Sequence, residues 1–256
     1  MTETIASTKN PLLKSIRKAA AHGALTDEGL AIAEGFHLLE EALKSGVEID
    51  AVIAAEAASD RLPQLARSRM VTVPDRVFAE LTTTEQPQGV ITLVRPPRWT
   101  LADALGLRAM AVVLDGVQDP GNAGAVIRSA EAFGATGVVF LKGTVNPWNP
   151  KCLRGAAGSS FRVPLVAGLT AVDFLAQAGS LVVFTAMPHA DRMLDQADFT
   201  HPCAIVIGGE GRGVSEPMGA RAKHIRIPTR AVESLNAAVA AGVLLYEARR
   251  QRDKSA

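Results

Sequence analysis

Five polar side chains of this 256-residue chain stand where short apolar runs give out: Asn122 and Arg128, Glu210, and Ser234 with Asn236. Arg128 suits the binding of negative oxygen better than the removal of a proton, because a guanidinium with a pKa above ~12 is a poor base. Asn122 and Asn236 each offer a donor and an acceptor, and Glu210 can orient a cation or an amide. Around Glu210 lie Gly208, Gly209, Gly211 and Gly213, where backbone can approach a ligand because no Cβ intervenes. Together these groups can hold a polar substrate and stabilise charge developing on oxygen.

The elements that must position them read as strands emptying into loops. Cys203–Ile207 is a short apolar run that ends in the glycines, and His224–Ile227 is a second, ending at Pro228. The loop after Pro228 carries Glu233, Ser234 and Asn236 into a helix, of which Ser234 is either the N-cap or a site residue. From Ala237 to Leu245 that helix is apolar all round, so both faces need cover, from one subunit or from two. Upstream, the strand Ala111–Leu114 leads to Asp119-Pro120-Gly121 and the helix Ala123–Phe133, stopped by Gly134. Asn122 is then at the positive end of this helix and Arg128 one to two turns further in. The residues alone leave open that Asp119 merely caps the helix and that Arg128 sits in solvent. With the strands Val138–Leu141, Leu181–Thr185, Ala204–Ile207 and Ile225–Ile227, the pattern is a parallel sheet buried on both faces. The segment Asn146–Lys151, with Arg154 after it, is polar, basic and aromatic, suited to phosphate or sugar or to an ordered surface loop.

Two other chemistries are disfavoured. A dinucleotide-binding loop needs a long helix after its glycines and an acid some ~20 positions on, whereas Glu216-Pro217 interrupts here. A Walker loop is excluded because Gly-Lys-Ser/Thr does not occur.

The first hundred residues form a separate α/β pattern. Asn10-Pro11 opens a basic helix with Lys14, Arg17 and Lys18; Ala31–Ala33 is a strand leading through Glu34-Gly35 into the helix Phe36–Lys44. Ile49–Ala54, Met70–Val73 and Val90–Val94 are strands, Pro63–Arg69 a helix, and Asp75 caps Val77–Leu81. Thr82–Gly89 is polar and turn-rich. Arg95-Pro96-Pro97-Arg98 is a stiff boundary, dividing the chain into domains 1–95 and 96–256. At 48% hydrophobic and 4% aromatic, the cores must be built from Ala, Val, Leu and Ile. Net charge is +1, so any nucleic-acid surface must be local. Cys152 and Cys203 are isolated and fit no metal spacing, which points to reduced structural thiols, and with no signal-peptide core or membrane-length run the expected location is cytoplasmic.

Three motifs in order resemble those of the SpoU (TrmH-like) RNA ribose methyltransferases of the SPOUT superfamily. They are Asn122-x-Gly124-x-x-x-Arg128, Ile207-Gly208-Gly209-Glu210-Gly211-x-Gly213, and Ile227-Pro228 followed by Glu233-Ser234-Leu235-Asn236. The first hundred residues are similar to that family's ribosomal-protein-like RNA-binding domain, through Ser7–Lys14, Ala33-Glu34-Gly35 and Thr84–Gly89. The resemblance implies an α/β catalytic domain with a parallel sheet and a C-terminal trefoil knot, preceded by the smaller α/β domain. It implies S-adenosylmethionine as cofactor, held near Thr185, Gly208, Gly209, Ile227, Leu235 and Asn236, with no metal. It implies catalytic roles for Arg128, Asn122, Glu210, Ser234 and Asn236, with Glu210 positioning Arg128 or a loop amide. It further implies a homodimer that methylates a ribose 2′-hydroxyl in RNA. Ribosomal RNA, 23S in particular, is favoured over transfer RNA by analogy with the ribosomal-protein-like domain. RNA contacts are expected from Lys9, Lys14, Arg17, Lys18, Lys151 and Arg154. A catalytically inactive RNA-binding relative would be expected to have lost Asn122, Arg128 or Asn236, and all three are present. One departure is Ala19–Gly29, which lacks the arginines relatives carry there and bears on how strongly the first domain grips RNA.

Overall fold

The computed structural model describes residues 2–62 and 69–254. It divides into two compact units, Met1–Arg98 with Trp148–Phe161, and Trp99–Pro147 with Arg162–Ala256. Each unit carries one of the two tryptophans.

In the first unit the elements run β1 (Thr2–Thr4), α1 (Pro11–His22), β2 (Ala31–Glu34), α2 (Phe36–Ser45), β3 (Ile49–Ala55), β4 (Arg69–Val73), α3 (Asp75–Phe78) and β5 (Val90–Val94). The sheet order is β1-β4-β3-β5-β2, with β5 antiparallel to both neighbours and the other pairs parallel. Asn10 starts α1 by accepting the Leu12 amide at 2.9 Å, and Gly23 ends it in the left-handed region. One face of α1, with Leu13, Ile16 and Ala19, joins Ile32, Ile53, Val71 and Ile91 in the core. β1 has no apolar signature; its Glu3 accepts from Arg69 Nε of β4 at 3.0 Å. The helix expected at 63–69 lies outside the described residues except for Arg69, which opens β4.

The second unit runs α4 (Leu101–Ala104), β6 (Met110–Asp115), α5 (Pro120–Ala132), β7 (Gly137–Leu141), then, after α6 (Pro150–Ala156) of the first unit, β8 (Leu165–Leu169), α7 (Ala171–Ala178), β9 (Val182–Ala186), β10 (Cys203–Gly208), α8 (Glu216–Arg221), β11 (Lys223–Ile225) and α9 (Ala237–Lys254). The sheet is parallel throughout, in the order β11-β9-β10-β6-β7-β8. Every residue of β6 and β7 is buried, as a strand covered on both faces requires. β11 is shorter than the run His224–Ile227 suggests, because beyond Ile225 the chain leaves β9 and Arg226 bridges to Met193. Trp148–Phe161 falls by sequence after the domain boundary yet packs with the first unit, where α6 lies against β2.

Helix α9 packs on α5 and β10 through Ala237, Ala241, Leu244, Leu245 and Ala248, a stripe at helical spacing. The expected cover on every face is not met within the chain: Val239 is 53% and Tyr246 57% exposed. Near the end of α9 the Arg252 guanidinium donates to the carbonyls of Phe199, Arg108, Ala109 and His201 at 2.8–2.9 Å, clamping the helix to the starts of β6 and β10. Cys203 lies beside it, and burial pushes its thiol up, away from the reactive thiolate.

Candidate active site

Because the sheet is parallel, β6, β9, β10 and β11 deliver their carboxyl ends, Asp115, Ala186, Gly208 and Ile225, to one edge, the usual place for a ligand in this architecture. The glycine loop after β10 is folded back on itself: Gly209 and Gly213 exchange N–H···O bonds of 3.1 and 3.0 Å, and the Gly209 amide also lies 2.9 Å from Asp115 O. A Cβ on Gly208 would stand 2.6 Å from Gly213 O and from Val214 N, and one on Gly209 would strike Gly116. Gly208 and Gly209 are therefore demanded by neighbouring backbone. Asp115, 7% exposed, holds the far side of the loop by accepting from Ser215 N and Ser215 Oγ, both at 2.7 Å.

The three motifs meet through their amides. Asn236 Oδ1 accepts from the first free amides of α9, Ala238 N at 2.9 Å and Val239 N at 3.3 Å. Its Nδ2 must then face away from the helix, and it donates to Asn122 Oδ1 at 3.0 Å. Asn122 in turn donates Nδ2 to Glu210 Oε1 at 2.7 Å, while its own backbone amide is taken by Asp119 Oδ1 at 2.7 Å. Asp119 caps α5 as expected. Ser234 does not cap α9, since the helix begins at Ala237 and the capping oxygen is Asn236's. Glu210 does not position Arg128; its partner is the Asn122 side chain. Arg128 projects from the exposed side of α5 and, among the described residues, pairs with no carboxylate. It is about 9 Å along the helix from Asn122, at 1.5 Å per residue.

Two concave surfaces flank this chain of amides. One, an open cleft of about 390 Å³, is lined by Ala186 at the end of β9, Met187 and Pro188 after it, and Ile227, Ser234 and Leu235 of the third motif. Its walls are mostly apolar and it sits at strand ends, which suits the flat face of a base. Thr185 is 1% exposed and its hydroxyl donates to Val206 O at 3.2 Å, so its side chain supports the rim from within the sheet, while Ala186 lines the cleft. Met187 and Pro188 were invisible to sequence reasoning, since nothing in their type distinguishes them from any strand-ending turn. The second surface is a polar groove along Asp115, Gly116, Lys142, Gly209, Glu210 and Arg212.

The expected RNA-binding cations fare unevenly. In the first unit Arg17 donates to Thr8 O at 2.9 Å and lies 3.6 Å from Glu80, and Lys18 pairs with Asp27 at 2.8 Å. Arg154 reaches Glu34 at 3.4 Å and Thr83 Oγ1 at 3.0 Å. These three are turned to internal partners. Lys18 nonetheless stays exposed, as do Lys9, Lys14 and Lys151.

Residues 109–246 match the SpoU rRNA methylase family, and residues 10–92 match the MRM3-like substrate binding domain. The chain is 34% identical, over 97% of its length and 94% of the relative's, to an uncharacterized tRNA/rRNA methyltransferase of Synechocystis. It is 32% identical, over 96% and 98%, to the 23S rRNA (guanosine(2553)-2′-O)-methyltransferase of Bacillus subtilis. In structure it resembles an AdoMet-bound rRNA methyltransferase from Sinorhizobium meliloti, with a TM-score of 0.84 and 28% identity over 97% and 98% of the two chains. An Asn–Asn–Glu chain joins three motifs beside an apolar cleft, and these relatives match the protein along nearly its whole length: it belongs to the SpoU rRNA methylase family of RNA methyltransferases.

Proposed function

We propose that the protein transfers a methyl group from S-adenosylmethionine to a ribose 2′-hydroxyl in ribosomal RNA, 23S rRNA being favoured by the relative from B. subtilis. The single observation that carries the reading is the junction of the three motifs at Asn122, which brings the exposed Arg128 helix and the apolar cleft into one site.

Ala186, Met187, Ile227 and Leu235 would hold the cofactor's adenosyl part. When bound, S-adenosylmethionine supplies a methyl group already made electrophilic by its sulfonium. The chain's own residues then have to seat the ribose, fix the hydroxyl in line and stabilise the alkoxide as its proton leaves. Arg128 takes the phosphate beside the target ribose and the developing negative charge, with the proton passing to phosphate or water. Asn122, its amide orientation fixed from both sides, holds the mouth of the site, and Glu210 and Asn236 hold Asn122. Ser234 lines the cleft.

Other parts of the reading belong here as proposals. The boundary falls near residue 95, the first domain serves RNA binding with Lys9, Lys14 and Lys151 as phosphate contacts, and the strand ends are threaded as a trefoil knot. The exposed Val239 and Tyr246 face of α9 is the seat of a second copy, giving a homodimer in the cytoplasm. Among the described residues no helix is long and apolar enough to cross a membrane.

Mapping 2′-O-methylation across rRNA and tRNA from cells with and without the protein tests the reading. A ribosomal site lost with the protein and regained by in vitro methylation with the purified chain is expected; a lost site in tRNA alone would overturn the ribosomal assignment.

A further inference from the structure

The first unit contains a pocket of about 500 Å³, mostly apolar in lining and open to solvent, at the start of α2. Its foundation is Glu34, whose side chain is 4% exposed. The carboxylate accepts the hydroxyls of Thr82 and Thr84, lies 3.4 Å from Thr83 N, and faces Arg154 Nη1 at 3.4 Å. Every oxygen of Glu34 is thereby occupied, so it is no ligand itself; it fixes the 82–84 turn and the Arg154 side chain as walls. Gln88 Oε1 accepts from Phe36 N at 2.9 Å, which leaves the two protons of its Nε2 as the part available to the pocket. Thr84 Oγ1, its proton directed at Glu34, presents lone pairs. His37 and Gln86 are exposed on the rim, and the buried Leu38 forms an apolar base.

We propose that this pocket binds an unpaired nucleobase of the substrate RNA. A fixed donor and a fixed acceptor over an apolar floor, with an imidazole able to stack, suit the flat polar edge of a base. The charge argues against phosphate, because Glu34 and Arg154 offset one another and the pocket carries no surplus cation. On α1, nearby in sequence, Arg17 and Lys18 have partners in Thr8, Glu80 and Asp27, and Lys14 stays exposed for the backbone. The pocket lies within the unit that carries the match to a substrate binding domain. The first unit thus reads bases where a basic surface would only follow the backbone. The inference rests on the proposed RNA methyltransferase activity and specifies how that substrate is recognised.

The test uses the full chain and fluorescein-labelled RNA hexanucleotides of A, C and U, with an RNA duplex as competitor, read by fluorescence anisotropy across salt concentrations. Gln88→Glu keeps the acceptor for Phe36 N and turns the donor into a carboxylate; His37→Ala and Gln86→Ala alter exposed rim residues. At least one hexanucleotide is expected to bind in preference to duplex. Gln88→Glu and His37→Ala should each weaken it about tenfold, the worth of one well-placed hydrogen bond or stacking contact, with the slope of log Kd against log salt unchanged. In methyl transfer on rRNA, KM should rise and kcat at saturating RNA should hold. Wild-type affinity in both rim variants, equal binding of duplex, or a loss accompanied by a shallower salt slope would overturn the proposal. Should Gln88→Glu melt early, His37→Ala and Gln86→Ala carry the test. Failure of the methyltransferase reading would look different: no RNA methylated, with hexanucleotide binding still sensitive to the pocket.

Discussion

Asn236 and Asn122 are 114 residues apart in sequence and joined by a 3.0 Å hydrogen bond whose direction is set by the helix Asn236 caps. The bond makes the start of α9 a part of the site, and through Asn122 it reaches Glu210. Any change to the middle member is felt by both others.

Asn122→Asp tests that relation. The variant sets a carboxylate where Nδ2 faced Glu210 at 2.7 Å, turning an attraction into a like-charge contact. Methyl transfer at neutral pH is expected to fall roughly a hundredfold, a loss typical of one misplaced active-site polar group. Because protonation of either carboxylate restores a donor, the variant's rate should recover partly as pH falls toward the carboxylate range. A pH–rate profile parallel to that of the unaltered protein would refute the relay.

Arg128→Ala should remove transfer and spare cofactor binding. Arg128 lies on the exposed side of α5 and lines neither the Ile227–Leu235 cleft nor the glycine groove. A charge-assisted donor to a developing alkoxide is worth on the order of 3 kcal/mol, so the rate should drop ~100-fold or more. Calorimetry with S-adenosylmethionine beside a transfer assay separates the two; equal loss of both would place Arg128 in the cofactor site.

Gly208→Ala and Gly211→Ala should differ in kind. The first thrusts a Cβ into the Gly213–Val214 backbone, while the second meets nothing within 4 Å and bears only the strain of a φ of +83°. The strain costs about 1 kcal/mol. The collision should cost several times as much and open the loop. Thermal melting should show a larger fall for Gly208→Ala; equal falls would mean that the loop yields freely.

Val239→Glu distinguishes monomer from dimer. With 53% of Val239 exposed, a lone chain should tolerate the change within about 0.5 kcal/mol. If a second copy covers that face, an unpaired charge buried there should drive dissociation at micromolar protein. Light scattering and melting measured together decide it: a unaltered oligomeric state would remove α9 from any interface.

The sheet of the second unit was legible because its strands are uninterrupted apolar runs such as Val112–Leu114 and Ile205–Ile207, which only a doubly covered strand requires. The three motifs were legible because each follows such a run. Asp115 escaped notice although it ends β6, since one aspartate before a glycine looks like any turn; its hold on Ser215 spans 100 residues and has no local trace. Whether Ser234 is the cap stays open in the sequence because Ser and Asn cap equally well, and only the position of the helix's free amides decides between them. Arg17, Lys18 and Arg154 read as free cations because their acidic partners, Glu80, Asp27 and Glu34, are set beside them by folding. The strand Thr2–Thr4 has no apolar residue to announce it, and it exists by pairing with β4.

Trp148 falls in one unit and Trp99 in the other, and the chain has only these two. The tryptophan emission of the protein is therefore the sum of two reporters, one for each body. Replacing either by phenylalanine leaves a chain whose fluorescence follows a single unit, so denaturation of the halves can be watched separately without any added label.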